Sequence, residues 1–364
     1  MHSYQWSPIS KKEGTLIRAL AILAIVFHNY LHLVESLPGE NEFNYRAEKA
    51  QALIHGLRDT PWDCFRILAS YFGHYGVQIF FFLSGYGLSI QYRLKPSSWW
   101  AFQKRRWAGI YPAILVAALG YLIYDSLRLD PSTVIQTEGL NLIRQIIGVS
   151  NFIPDNIYHP IGPWWFIGVI LQFYLLVPLI LKWTSRHGNR TLYIIIGLSM
   201  LSEYLLGPVL AKQFDFNINH SILGHLDVCA LGILFARKER FELHPAILTA
   251  AGILFILGNT HATLWISTGV SITLILIPLL RTTAANIATI PWLDVSMTQI
   301  GQLSLYIFLC NGYLRRPLIG WAQQQQDWWT SLWTSLLFLG LVLCWSLLLR
   351  FLVNQCQQRL GIKR

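Results

Sequence analysis

The chain has 364 residues, of which 54% are hydrophobic and only 13% charged, and its mean hydropathy is +0.42. Soluble domains carry about 25% charged residues, so water is not the main solvent of this chain. Its net charge of +10 sits in short basic clusters between apolar runs, the pattern of membrane topology and not of a nucleic-acid-binding surface. The five cysteines, odd in number and without C-x-x-C spacing, argue against a disulfide framework and against a thiolate zinc site.

A helix rises 1.5 Å per residue, so a hydrocarbon core of about 30 Å needs about 20 apolar residues. Ten runs approach this, with approximate limits 15–35, 67–91, 107–127, 163–182, 191–210, 221–236, 244–260, 264–280, 298–314 and 329–353. They predict an all-α protein, a polytopic membrane bundle of about ten transmembrane helices within a single domain, 1–364. The first run has no A-x-A-like cleavage site and reads as a retained span. With the N-terminus in the cytoplasm, 19 of the 28 Lys and Arg fall on the cytoplasmic side, an asymmetry that predicts both termini inside. The two longer connections, 36–66 and 128–162, then lie outside, and the second is part apolar and part turn-forming.

The first span places His28 ten residues after Arg18, about 15 Å along a helix. If Arg18 marks the inner surface, His28 lies near the bilayer midplane. An ionisable group at that depth must face protein or a wet cavity, and an imidazole there suits general-base work. His32 lies one turn further on the same face, with Glu35 three residues on. The H-x-x-x-H spacing can bind zinc, but no Glu stands between the two histidines and no third ligand is evident, so no metal is expected. A proton path or an acceptor contact is the expected role of His32.

The stretch GHYGVQIFFFLSGYGLSIQYRLKPSSWWAFQKRRWAGIYP, residues 73–112, follows. Gly76, Gly85 and Gly87 are expected to let helices approach closely, and Ser84 and Tyr86 offer hydroxyls in apolar surroundings. A basic cytoplasmic loop with Arg93, Lys95, Lys104, Arg105 and Arg106 is expected before the third span. Further on, Glu203 and Asp227 are carboxylates within apolar runs, able to orient a catalytic partner or to pair structurally.

In their order along the chain these motifs resemble the acyltransferase-3 family of membrane proteins. The likeness rests on Arg18 and His28 in span one, on Phe80, Phe81, Ser84, Gly85 and Tyr86 in span two, and on Phe102, Arg105, Arg106, Ile110, Tyr111 and Pro112. Trp165 with Gln172-Phe173-Tyr174 and the run from Gly301 to Leu309 extend it. The chain departs from the family pattern at four points. Nine residues separate Arg18 from His28 where ten are usual, Gly109 stands for an arginine, Ile170 for an acidic residue and Asn311 for a histidine. The shorter spacing turns Arg18 about 80° from the histidine's face at 3.6 residues per turn.

The resemblance implies a multi-pass protein of the cell inner (cytoplasmic) membrane that takes an acyl group from cytoplasmic acetyl-CoA and delivers it to a hydroxyl of a cell-envelope glycan, such as O-antigen, capsule or exopolysaccharide. It makes His28 the catalytic residue, either as base or as acylated nucleophile. Arg18, Arg93, Arg105 and Arg106 are then the donors expected to hold the phosphates of acetyl-CoA. Asn29, His32, Ser84, Tyr86, Gln172, Tyr174 and Asn311 are the candidates to hold the acceptor or the oxyanion. The expected partners are a glycan or lipid-linked glycan acceptor and membrane lipid, with no nucleic acid. The rival reading is a transporter or flippase of a lipid-linked sugar that does no covalent chemistry.

Overall fold

The first long helix begins where the sequence supplies a capping box. Ser10 accepts from the Glu13 amide at 3.1 Å, and the Glu13 carboxylate accepts from the Ser10 amide at 3.2 Å, which satisfies two of the free N–H groups of a helix start. In the computed structural model, which describes residues 4–34, 36–325 and 327–359, this helix, α1, spans Lys11–Leu31. It is preceded by a short strand β1 (Tyr4–Trp6) and followed by α2 (Ala47–Asp59), α3 (Cys64–Phe72), α4 (Gly76–Leu94), α5 (Trp99–Ser126), α6 (Pro131–Ile146), α7 (Trp165–His187), α8 (Arg190–Phe214) and α9 (Leu226–Ala236). The strand β2 (Phe241–Leu243) and helices α10 (Pro245–Thr260), α11 (Thr268–Ala288), α12 (Pro291–Leu314), α13 (Arg316–Gln325) and α14 (Trp328–Arg359) complete the order.

Among the described residues, seven helical stretches are long and apolar enough to cross a membrane. The protein is a multi-pass helical membrane protein. The remaining three apolar runs are also helical, as α9, α10 and α12. With 11 residues in α9 and 16 in α10, those two rise only about 16 and 24 Å at 1.5 Å per residue. The all-α expectation needs one correction. Strands β1 and β2 pair antiparallel, Tyr4 opposite Leu243 and Trp6 opposite Phe241, so the turn expected at 237–243 holds a short strand.

A second correction concerns the basic cluster. Only Lys95 of it lies in a loop, because Ser98 caps a new helix by accepting from the Ala101 amide at 3.3 Å. Lys104, Arg105 and Arg106 therefore lie in the second turn of α5, and Arg93 in the last turn of α4. α5 runs on through Pro112 as one helix.

The chain divides into two compact units, one built from the chain up to Ser97 with Leu176–Gln302, the other from Ser98–Leu175 with the chain from Leu303 on. In the first unit α4 lies against α9 at a double glycine contact. A Cβ on Gly85 would collide with the Cys229 carbonyl oxygen, and one on Gly232 with the Phe82 carbonyl. Close backbone approach of this kind is how helices associate where apolar burial gives no advantage over lipid. Gly76 packs equally close to α1, where a Cβ would lie 2.6 Å from the Ala21 carbonyl oxygen, whereas among the described residues nothing lies within 4 Å of a Cβ on Gly87. Two ion pairs fix the start of α1, Arg281 to Glu13 at 2.6 Å and Lys12 to Asp294 at 2.7 Å.

In the second unit, Trp164 donates its indole N–H to the Leu309 carbonyl at 3.0 Å and Trp345 donates to the Tyr313 hydroxyl at 2.7 Å. Arg316 pairs with Asp125 at 3.2 Å. Gln103 and Trp99 on α5 donate to the Tyr174 and Leu175 carbonyls of α7 at 2.6 and 2.9 Å.

Candidate active site

Helix α1 ends at Leu31, four residues before the expected limit of the first run, so His28 stands in its last turn and not at its middle. It is 1% exposed. What brings other polar groups to it is the GHYG segment at 73–76. A Cβ on Gly73 would sit 2.6 Å from His28 Cβ and 2.7 Å from the Ala24 carbonyl oxygen, so only a glycine lets the short turn Gly73–Tyr75 lie on α1 at this depth.

That close approach fixes the imidazole. His28 Nδ1 lies 3.0 Å from the Ser70 carbonyl oxygen. A carbonyl can only accept, so Nδ1 carries the proton and Nε2 presents a lone pair. Nε2 lies 4.0 Å from Glu42 Oε2. The His74 ring centroid is 5.4 Å from that of His28, and His32 stacks on it at 4.6 Å. His32 Nδ1 in turn donates to the His28 carbonyl oxygen at 2.7 Å.

The segment that carries Glu42 is pinned over α3. Asn41 donates to the Tyr71 hydroxyl and to the Arg46 carbonyl, each at 3.1 Å, and Gly39 donates to Ser70 Oγ at 3.2 Å. A salt bridge between Asp63 and Arg66, both 7% exposed at the side chain, holds the start of α3. Glu42 and His74 also line a cavity within the first unit, together with Glu203, Asp227, Gln78 and Trp265 among others.

The other expected site residues are distributed as follows. Asn29 is half-buried beside His28 on α1. Arg18 donates to Thr15 Oγ1 at 3.0 Å, and Arg93 is exposed. Tyr86 accepts from the Ile9 amide at 2.8 Å, which puts it by the start of α1, more than 20 Å along the axis from His28 at 1.5 Å per residue. Ser84 is half-buried on α4, eight residues or about 12 Å beyond Gly76 by the same rise. In the second unit, Arg106 lies over the Phe102 ring at 5.3 Å, and Tyr174 is half-buried on α7. Arg105 is exposed and Gln172 half-buried. Asn311 is fully buried and spends its amide on its own helix, donating to the Ile307 and Phe308 carbonyls at 3.2 and 2.8 Å.

Two groups by His28 were not foreseen. His74 carried a signal, as an imidazole between two glycines at the edge of an apolar run. Glu42 carried none, lying in a polar connection rich in charged residues; Glu35 lies outside the described residues. His28, His32 and Glu40 also offer ligand atoms within 4.8 Å of one another. With both Nδ1 atoms donating to backbone carbonyls, ligation would fall to the two Nε2 atoms, the arrangement metal-binding histidines use. Glu40 is the third donor that the sequence did not reveal.

A helical membrane protein with a buried, oriented histidine next to a polar cavity is the class this geometry defines. The family follows from comparison. A family model described as an acyltransferase domain matches residues 15–351, and the chain belongs to that acyltransferase-3 family. It is also similar to the O-acetyltransferase OatA of Staphylococcus aureus strains NCTC 8325, COL and MRSA252, at 29% identity over 214 residues, covering 51% of this chain and 34% of those proteins. The match spans about a third of the length of these relatives. No solved structure matches the chain.

Proposed function

We propose that the protein is a membrane O-acyltransferase that moves an acetyl group from cytoplasmic acetyl-CoA to a hydroxyl of a cell-envelope glycan, as one ten-span domain of the inner membrane with both termini in the cytoplasm. The observation that carries the proposal is the orientation of His28, with Nδ1 tied to the Ser70 carbonyl and Nε2 turned toward Glu42. A sugar hydroxyl has too high a pKa to attack a thioester unaided. Nε2 takes its proton as the oxygen bonds to the acyl carbon, the Glu42 carboxylate stabilises the imidazolium that results, and the tetrahedral intermediate then breaks its C–S bond, coenzyme A leaving as the thiol with the proton that the imidazolium gives back.

Acetyl-CoA supplies the acyl group as a thioester when bound. Its phosphates call for charge-assisted donors. Arg105 and Arg106 of the second unit form one candidate pair, and Arg18 and Arg93 of the first another. Stacking of Arg106 on Phe102 leaves its charge intact while removing much of its freedom, which suits it to the task. His28 acts here as a base and needs no metal.

The test is transfer of label from acetyl-CoA to an envelope-glycan acceptor in membranes holding the protein, beside a His28→Ala variant. A loss of at least 100-fold is expected, since general-base catalysis contributes about 10²–10⁴-fold. Unchanged transfer in the variant would remove His28 from the chemistry. Movement of a lipid-linked sugar across vesicles without any labelled ester would favour the flippase reading.

A further inference from the structure

Between α5 and α7, in the second unit, stands a helix too polar to cross a bilayer and too apolar on one side to stand in water. The ends of α6 are set locally. Asp130 accepts from the Ser132 and Thr133 amides at 3.0 and 3.2 Å, Pro131 fits its first turn, and Gly148 stops it with a φ of 77°, the left-handed conformation in which helices commonly end. Its 16 residues rise about 24 Å and include Glu138, Asn141, Arg144 and Gln145, which a span through hydrocarbon would have to desolvate.

Residues three and four apart share a helix face, and α6 has three such faces. Val134, Leu142 and Gln145 are buried. Gln145 ties that face to protein, donating to the Ile161 carbonyl at 3.0 Å and accepting from the Ile161 amide at 3.2 Å. Thr133, Thr137 and Arg144 form a polar face, on which Arg144 donates to Asn156 Oδ1 at 2.6 Å. The third face is apolar and uncovered, with Ile135, Leu140, Ile143 and Ile147 each more than half exposed. Soluble surfaces rarely hold so many large aliphatic side chains together.

What covers this face follows from its continuity with α5, against which α6 packs. α5 is one of the helices long and apolar enough to cross the membrane. Leu115, Leu119 and Ile123 repeat along it at every fourth residue, each more than half exposed, and Leu127 continues the series past its end. On a membrane span such a stripe faces lipid. We propose that α6 is an interfacial helix, with Ile135, Leu140, Ile143 and Ile147 inserted among the acyl chains of the leaflet around the Ser126 end of α5 and Thr133 and Thr137 turned to water. A helix with one apolar and one polar face takes this position at the boundary of headgroups and acyl chains.

The experiment uses the full chain in phosphatidylcholine nanodiscs, with the exposed Cys64, Cys344 and Cys356 changed to Ser. A nitroxide is attached after one further substitution at a time, Ile143→Cys, Ile147→Cys, Thr137→Cys or, as the lipid-facing standard, Leu119→Cys. All four positions are exposed, so the fold has no packing to lose there. Collisions with dissolved oxygen, which concentrates among acyl chains, are compared with collisions with a water-soluble nickel chelate. Oxygen is expected to dominate at 143 and 147 as it does at 119, with a depth of about 5–10 Å below the headgroups, and the nickel chelate at 137. Nickel access at 143 and 147 equal to that at 137 puts the face in water and overturns the proposal. Oxygen dominance at 137 as well makes α6 a deeply sunk segment and overturns its interfacial position. Poor access of both collision partners at 143 and 147 means that protein covers the face and overturns the lipid assignment; dipolar broadening between labels would then identify a second copy of the chain as the cover.

Discussion

Replacing Glu42 by Gln tests the proposed chemistry more sharply than removing the histidine, because it keeps the side chain's size and removes only its charge. The carboxylate stands 4.0 Å from His28 Nε2, with side-chain exposures of 18% and 2% respectively. Two unit charges at that separation interact by about 1 kcal/mol in water and about 4 kcal/mol at an effective dielectric of 20. Partial exposure of Glu42 places the pair between these limits, at about 1–3 kcal/mol. The interaction exists in full only when Nε2 has taken the acceptor's proton, so it lowers the barrier and not the ground state. It therefore appears in kcat, as a fall of about 5- to 150-fold at 1.36 kcal/mol per factor of ten. The assay is steady-state acetyl transfer in membranes, run also in a His28→Ala background. There Glu42→Gln is expected to cost nothing further, since the charge has no imidazolium left to stabilise. A Glu42→Gln protein within threefold of wild type, or an additive loss in the double variant, would refute the pairing.

The remaining predictions concern packing, donor binding and metal. Gly73→Ala drives a Cβ to 2.6 Å from that of His28, and overpacking of this kind costs about 1–3 kcal/mol. A lower thermal midpoint and reduced transfer are expected together, while Gly87→Ala, with no described atom within 4 Å of its new Cβ, should leave both near wild type. Combined Arg105→Ala and Arg106→Ala substitution is expected to raise the Kd for coenzyme A by at least tenfold, and unaltered binding would move the phosphate site to Arg18 and Arg93. Dialysis against a strong chelator is expected to leave transfer unchanged if His28 is a base. Loss of activity restored by zinc would instead make His28, His32 and Glu40 a metal site.

The helices were legible because the bilayer imposes a rule that needs no tertiary information: every backbone polar group in it must be paired within its own helix. Runs of apolar residues therefore mark helices directly, and the limits expected for the first span differ from α1 by four residues at each end. His28 was legible for the same reason, as a polar residue with no excuse in an apolar helix. Glu42 was not, because polarity on a connecting segment is the ordinary case and gives no signal. Its place beside His28 depends on contacts distant in sequence, through Asn41 on Tyr71 and Gly39 on Ser70. The same holds for the basic residues at 104–106, where charge was visible but the helix was not, since Ser98 as a cap competes with the turn that Lys95-Pro96-Ser97 signals. Glycine shows the limit most plainly. Gly76, Gly85 and Gly87 carry one expectation in the sequence, yet only the first two meet a neighbouring backbone, because the partner that makes a glycine necessary is never on its own helix. A sequence thus announces the residue that is out of place in its element, and it conceals the residue that becomes important only by arriving next to that one.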